Sequence, residues 1–570
     1  MSHRPSANSD APTSNPHHGF LAAAVRVVTG LTLVSRFAGL ARELTTVYIF
    51  GATAVGSAFA AAFAIPNLFR RLFGEGALSA AFLPEYTALR KADPARADAL
   101  ASLTLRWLLL ITGSITLVIE LALVATLLLG GASDPERRLS LLLIIVMLPM
   151  MPMVCVTAIL GGMLQVHGKF GPPAAAPIIL NLFMIAAGAF YFLAPGADDT
   201  AREASRTLAA YLIGAAAVAA SLAQVAWSLL ALRGHARFPR DTAIARDSAR
   251  AMFSRFIPVV VGMGTLQLNT LLDTVIAMWP VWVGPTLLGY AYPLDESSNV
   301  ILTNVARLYQ FPLGVFGIAV ATAVFPLLSL TAGEPDKFTD TLRRGVRLSL
   351  FIGLPASAGL AVVAPDMIGA LFGLGSKGYQ EADIARAASV LVAFAPGVWA
   401  YALNHVLTRA FYARQDTRTP MRVALAMVAL NLTLNWTLIW FAREAGLAWA
   451  TSSAAIVQCG VLILILRKRF DIHALDRETL RAIVRLTLTT LLMAGAVLGA
   501  LALTSKLIHT LAPDLSAWSR HALRMGVGAG VGVASYAGLS FLLRVPELRW
   551  LAQRAPKGAG NGAMSGMDLG

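Results

Sequence analysis

Six ionisable side chains stand inside two otherwise apolar stretches near the start of the chain. VSRFAGLARELTTVYIFGAT, followed by AVGSAFAAAFAIPNLFRRLFGEGALSAAFLP, carries Arg36, Arg42, Glu43, Arg70, Arg71 and Glu75. An ionised group near the middle of a lipid-facing helix costs roughly 2.5–3.5 kcal/mol. These groups must therefore face protein, water or an anionic ligand. A guanidinium stays charged at any physiological pH, and its planar fork matches phosphate oxygens two at a time. A water-filled cavity lined by several arginines thus suits a phosphate or diphosphate. Glu43 lies seven residues beyond Arg36, on the same helical face, and Glu75 is within reach of Arg70 and Arg71. The competing reading is that acid and base pair and staple the helices. Arginine outnumbers glutamate here, which leaves positive charge over.

Further along, Arg307 is the one charge in TNVARLYQFPLGVFG, and Asp273 stands in LQLNTLLDTVIAM with Gln267 and Asn269. Arg307 is either a cavity cation or a snorkelling side chain near a helix end. Asp273 either joins oxygen ligands around a cation or pairs with an arginine, and pairing is the safer expectation. Gly39, Pro66 and Pro312 are the candidate hinges. Glycine lets another backbone approach, and proline removes a backbone donor and kinks its helix. Met147, Met150, Met151 and Met153 surround Pro149 and Pro152 and read as adaptable packing. Gly526, Gly528, Gly530 and Gly532 read as a close helix contact or a lipid-facing groove. Cys155 and Cys459 form no spaced pair, so neither a disulfide nor a metal site is expected. HExxH, GxSxG and CxxC motifs are missing, so the chain does not read as an enzyme, and no cofactor is implied.

Something must position these groups, and the composition says what. The 570 residues are 57% hydrophobic and 14% charged, with mean hydropathy +0.67. Soluble domains carry about 25% charged residues. The deficit, with recurring apolar runs of about 20 residues, predicts an all-α polytopic membrane protein. About 14 transmembrane helices are expected, near 20–49, 53–88, 100–129, 139–166, 172–193, 207–232, 251–279, 297–331, 342–372, 383–413, 419–441, 446–466, 482–506 and 519–544. Connections after even-numbered spans are richer in Lys and Arg by roughly threefold, which places them and both termini in the cytoplasm. The net charge of +15 is mostly this bias, so no nucleic-acid partner is implied.

A weak repeat divides the chain. Phe73-Gly74 with Phe82 and Pro84 matches Phe316-Gly317 with Phe325 and Pro326, and Leu180-Asn181 matches Leu430-Asn431. Two pseudo-symmetric six-helix lobes with a site between the halves would follow, a common transporter plan. The expected segments are a disordered cytoplasmic tail 1–19, a lobe 20–232, a basic linker 233–250, a second lobe 251–466, a helix pair 467–545 and a tail 546–570. The segment GPTLLGYAYPLDESSN before the eighth span is unusual.

SRFAGLARE with IFGA, then AFAIPNLFRRLFGEGALSAAFLP, ARLYQFPLGVFG and FYARQDTRTP, resembles the MurJ (MviN) family of lipid II flippases in the MOP exporter superfamily. The likeness runs from about residue 20 to 545. It implies alternating access of a cationic cavity, with Arg36, Arg42, Arg70 and Arg307 on the substrate's diphosphate and Glu43 beside them. It also implies a groove in the last helix pair for the polyprenyl tail. The expected setting is the bacterial cytoplasmic membrane. The expected partners are lipid II and membrane lipids, with wall-synthesis machinery a further candidate. Membrane potential or a Na+/H+ gradient could bias the cycle. Ser57, Ala306 and Gln310 depart from acids common in the family, which leaves room for another polyprenyl-diphosphate-linked oligosaccharide as cargo. A membrane scaffold for wall synthesis is the reading from a different class.

Overall fold

Long apolar helices follow one another through the computed structural model, which describes residues 16–74, 77–131, 134–193, 199–374 and 378–552. In order they are α1 (Pro16–Phe50), α2 (Ala54–Phe69), α3 (Ala77–Ala92), α4 (Pro94–Leu128), α5 (Pro135–Met147), α6 (Met150–Val166), α7 (Gly171–Leu193), α8 (Asp199–Leu232), α9 (Arg246–Ala277) and the single turn α10 (Trp279–Trp282). A two-stranded antiparallel hairpin, β1 (Thr286–Leu287) and β2 (Tyr290–Ala291), comes next. Then follow α11 (Ser298–Pro312), α12 (Ile318–Leu330), α13 (Pro335–Val362), α14 (Ala364–Phe372), α15 (Glu381–Ala413), α16 (Arg418–Phe470), α17 (Arg477–Leu511), α18 (Ala517–Leu542) and α19 (Pro546–Ala552).

Two rows of helix are interrupted in the same manner. Arg70–Gly74 and Leu313–Gly317 each form one turn of π-helix, between α2 and α3 and between α11 and α12. Pro66 precedes the first and Pro312 the second. Proline withdraws a backbone donor, and a wider turn accommodates the displaced carbonyls. Both turns end on the Phe-Gly landmarks of the sequence repeat. Among the described residues, nine helices or helix pairs are long and apolar enough to cross a bilayer.

The chain divides into two compact units. The first gathers the chain up to Thr46 with Ala62–Gly264, and the second Val47–Ala61 with the chain from Thr265 onward. In the first, Met147, Met150 and Met151 are fully buried, and Gly214 of α8 brings its backbone against Met147. The linker expected over 233–250 is not slack. Arg90 donates to the carbonyl of His235, and Arg106 to those of Pro239 and Arg240, each at 2.6 Å. The helix α9 already begins at Arg246.

In the second unit, Phe338, Leu342, Leu407, Phe411 and Leu462 form a fully buried core drawn from α13, α15 and α16. Buried polar groups cross it in pairs, Ser452 donating to the Ala393 carbonyl at 2.7 Å and Asn404 to that of Ala455 at 2.9 Å. The expected spans 419–441 and 446–466 are continuous except at Arg443 (φ 51°, ψ −134°), where the chain reverses in a single residue. A Cβ on Gly446 would strike the Leu438 carbonyl, so only glycine permits the reversal. Gly528 and Gly532 of α18 pack against α17 through Val497, whereas Gly526 and Gly530 have nothing within 4 Å.

Three expectations need correction. Helix α1 starts at Pro16, inside the stretch expected to be disordered, and Met1–Asn15 lie outside the described residues. The expected span 342–372 is two helices that part at Val363. The expected tail 546–570 begins with α19, held by a buried ion pair between Glu547 and Arg347 at 2.6 Å; residues 553–570 lie outside the described part.

Candidate functional site

Helix α1 presents Arg36 and Arg42 on different surroundings. Arg36 is exposed. Arg42 is half-buried, paired with Glu43, and its guanidinium lies over the Phe63 ring at 5.2 Å from the centroid. Glu43 thus pairs with its neighbour Arg42. At Gly39 the bare backbone admits Asn181 of α7, whose amide would stand 3.6 Å from an added Cβ.

The π-turn after α2 carries Arg70 and Arg71, both half-buried. Arg70 Nε donates to Asn67 Oδ1 at 2.9 Å. Asn67 follows Pro66 directly, so the break in the helix supplies both the wide turn and the amide that orients the guanidinium. Glu75, expected as a pairing acid, lies outside the described residues.

Arg307 and Asp273 belong to the second unit. Arg307 is half-buried on α11, five residues ahead of Pro312 and its π-turn. One turn before it, Asn304 donates to the Tyr379 hydroxyl at 3.0 Å. Asp273 accepts from Asn435 Nδ2 at 2.6 Å. Asn435 also donates to Asn431, which bonds Thr451. The expected arginine partner is thus replaced by a row of buried amides from α16. An aspartate can be held by neutral donors as well as by a cation, and the sequence could not tell the two apart.

Two arrangements escaped sequence reasoning. The first joins the first turn of α2 to α11. Ser57 Oγ accepts from the Val300 N–H at 3.1 Å, and the Ser57 carbonyl accepts from Asn299 Nδ2 at 3.0 Å. Ser57 is fully buried, and Ala61 below it packs on Met278 and Val281. The second is an ion network. Arg386 of α15 holds Asp295 at 3.0 Å and Glu444 at 2.7 Å, and Arg443 closes on Asp295 at 2.7 Å. Burial pushes the Asp295 carboxyl up, but bonds from Arg386 and Ser297 outweigh it and hold the group down at about 2. These partners lie 58 to 148 residues apart, beyond any local pattern.

Similarity to known proteins runs the length of the chain. Residues 46–514 match the family profile of the lipid II flippase MurJ. The chain is 32% identical over 536 residues to the probable lipid II flippase MurJ of Vibrio cholerae, covering 91% of this chain and 95% of that protein. It is 33% identical over 456 residues to the corresponding protein of Rhizobium tropici, covering 78% and 80%. The fold matches that of a lipid II flippase MurJ solved in an inward closed conformation, with a TM-score of 0.70 at 20% identity over 92% of this chain and 99% of that one. An inward-facing multidrug resistance MATE transporter of the MOP superfamily matches with a TM-score of 0.59 at 13% identity, over 76% and 94%.

Proposed function

The chain belongs to the MurJ family of lipid II flippases, and from that premise we propose that it carries lipid II from the inner to the outer leaflet of the bacterial cytoplasmic membrane by alternating access. It is a transporter rather than an enzyme. The observation that carries this reading is where the intramembrane arginines sit. Arg70 is on a π-turn, Arg307 is one turn and a proline ahead of another, and Arg42 is half-buried and paired with Glu43 on α1. Broken helices put backbone and cation where a polar cargo can be met, a device suited to transporters.

In this reading Arg36, Arg42, Arg70 and Arg307 hold the diphosphate through charge-assisted bonds. Glu43, Arg71, Glu75 and Asp273 tune or orient them, and Gly39, Pro66 and Pro312 absorb the bending as access alternates. About 14 helices in two six-helix lobes, both termini cytoplasmic, complete the architecture, and the glycine-lined face of α18 with α17 receives the polyprenyl tail. Moving one charge through 100 mV is worth about 2.3 kcal/mol, enough for membrane potential or a Na+/H+ gradient to bias the cycle.

Replacement of Arg36, Arg70 or Arg307 by alanine is expected to abolish rescue of a flippase-depleted strain at unchanged protein level. Full growth with all three replaced overturns the proposal. Native mass spectrometry against lipid II and undecaprenyl diphosphate separates loss of binding from loss of movement.

A further inference from the structure

From Trp279 to Leu294 the chain runs without a Lys, Arg, Asp or Glu, although this connection is not part of a long helix. Val281, Tyr292 and Leu294 at its base are buried, but the side chains toward its tip are not. Leu288 is 91% exposed, Tyr290 72% and Val283 60%. The β1–β2 reversal puts Leu288 at φ +51° and Gly289 at φ +86°, the left-handed pair that Asn-Gly normally fills. Leucine is doubly out of place there in water. Its Cβ opposes the backbone conformation, and its apolar side chain projects fully from the surface. An outlier of this kind points to use.

The base of the hairpin says what the use is. Trp279 stacks on Tyr292 with centroids 5.8 Å apart, and Tyr292 meets the edge of Trp440 on α16 at 6.4 Å. Trp440 and its neighbour Phe441 are themselves exposed, at the end of a segment apolar enough to cross a bilayer. The polar tips are already satisfied, the Tyr292 hydroxyl donating to the Ile276 carbonyl at 2.9 Å. Tryptophan and tyrosine collect where hydrocarbon gives way to headgroups. Just beyond, Asp295 and Arg443 form their ion pair, which marks where charge resumes.

We propose that this hairpin is a membrane foot: Leu288 and Tyr290 insert into the headgroup–acyl boundary of the leaflet beside α16. The contact is apolar, so it needs no anionic lipid. It steadies the end of α9 against the bilayer while neighbouring helices move.

The test uses the full chain in phosphatidylcholine nanodiscs. Cys155 and Cys459 are buried, so a nitroxide can be directed to Leu288→Cys, to Tyr290→Cys and, as an aqueous control, to Asp514→Cys in the exposed α17–α18 connection. Collision with oxygen and with a water-soluble nickel chelate is then measured. The foot predicts severalfold less nickel access and more oxygen access at 288 and 290 than at 514. Equal nickel access at all three positions overturns it. So does low access to both reagents at 288, which would mean that another protein surface covers the hairpin.

Discussion

The contact between the first turn of α2 and α11 invites removal of one hydroxyl. Helix α11 starts after Ser297, whose side chain makes no capping bond to the helix and instead donates to Asp295 at 2.8 Å. The N–H of Val300, in the first turn, is capped by Ser57 from a different helix. Ser57 is 0% exposed, so water cannot replace the hydroxyl in Ser57→Ala. Losing a helix cap costs about 0.5–2 kcal/mol, and orphaning a buried N–H costs about 1–3 kcal/mol. A shared value of about 1.4 kcal/mol corresponds to a tenfold change in an equilibrium. The bond exists only while the turn rests on α11, so the state in which they part should gain population about tenfold. The assay is reaction of a cysteine at Ala61, itself 0% exposed, with a water-soluble maleimide. Ser57→Ala should accelerate that reaction about tenfold, and it should leave unchanged the reaction of a cysteine at Val497, buried between α17 and α18. An unchanged rate at position 61 refutes the reasoning, and equal acceleration at both positions means general loosening rather than parting of this contact.

Two further outcomes follow from the Arg386 network. Arg386→Met strands the Glu444 carboxylate, 3% exposed, with only Arg443 at 3.7 Å. Breaking a buried pair costs about 3–5 kcal/mol; unfolding by SDS titration should show a loss of that order, partly recovered by adding Glu444→Gln, and absence of recovery would disprove the coupling. Asp295 is depressed from 3.8 to about 2, so its contribution is complete above its unfolded value and disappears as pH falls through the folded one. The protection of residues 283–297 against hydrogen exchange, relative to the intrinsic rate at each pH, should therefore fall between pH 4 and pH 2, and constant protection would show that the ion pairs do not hold this segment.

Much of this was legible in the sequence because hydropathy and charge are local. Apolar runs announced the helices, and Arg36, Arg42, Arg70 and Arg307 stood out because charge in such runs is costly. Pro66 and Pro312 signalled a break, though not that a π-turn would follow each. Pairings across long separations had no local signature. Ser57 looked like a missing acid and is a cap for a helix 243 residues away. Asp273 looked like an ion-pair partner and bonds an amide 162 residues away. Glu547 looked like part of a tail and is buried against Arg347. In each case the partner is chosen by tertiary packing, which a single sequence does not display.

The reversal at Arg443 has a consequence for how this chain can vary. A connector of one residue has no slack with which to absorb a change of length. Inserting or deleting one amino acid there would swing the following helix by about 100° about its axis, and would pull Thr451 away from Asn431 and Ser452 from Ala393. The two arms of α16 are thus phase-locked like meshed gears. Tags, epitopes or natural insertions belong instead at Pro513 and Asp514, exposed in the connection between α17 and α18.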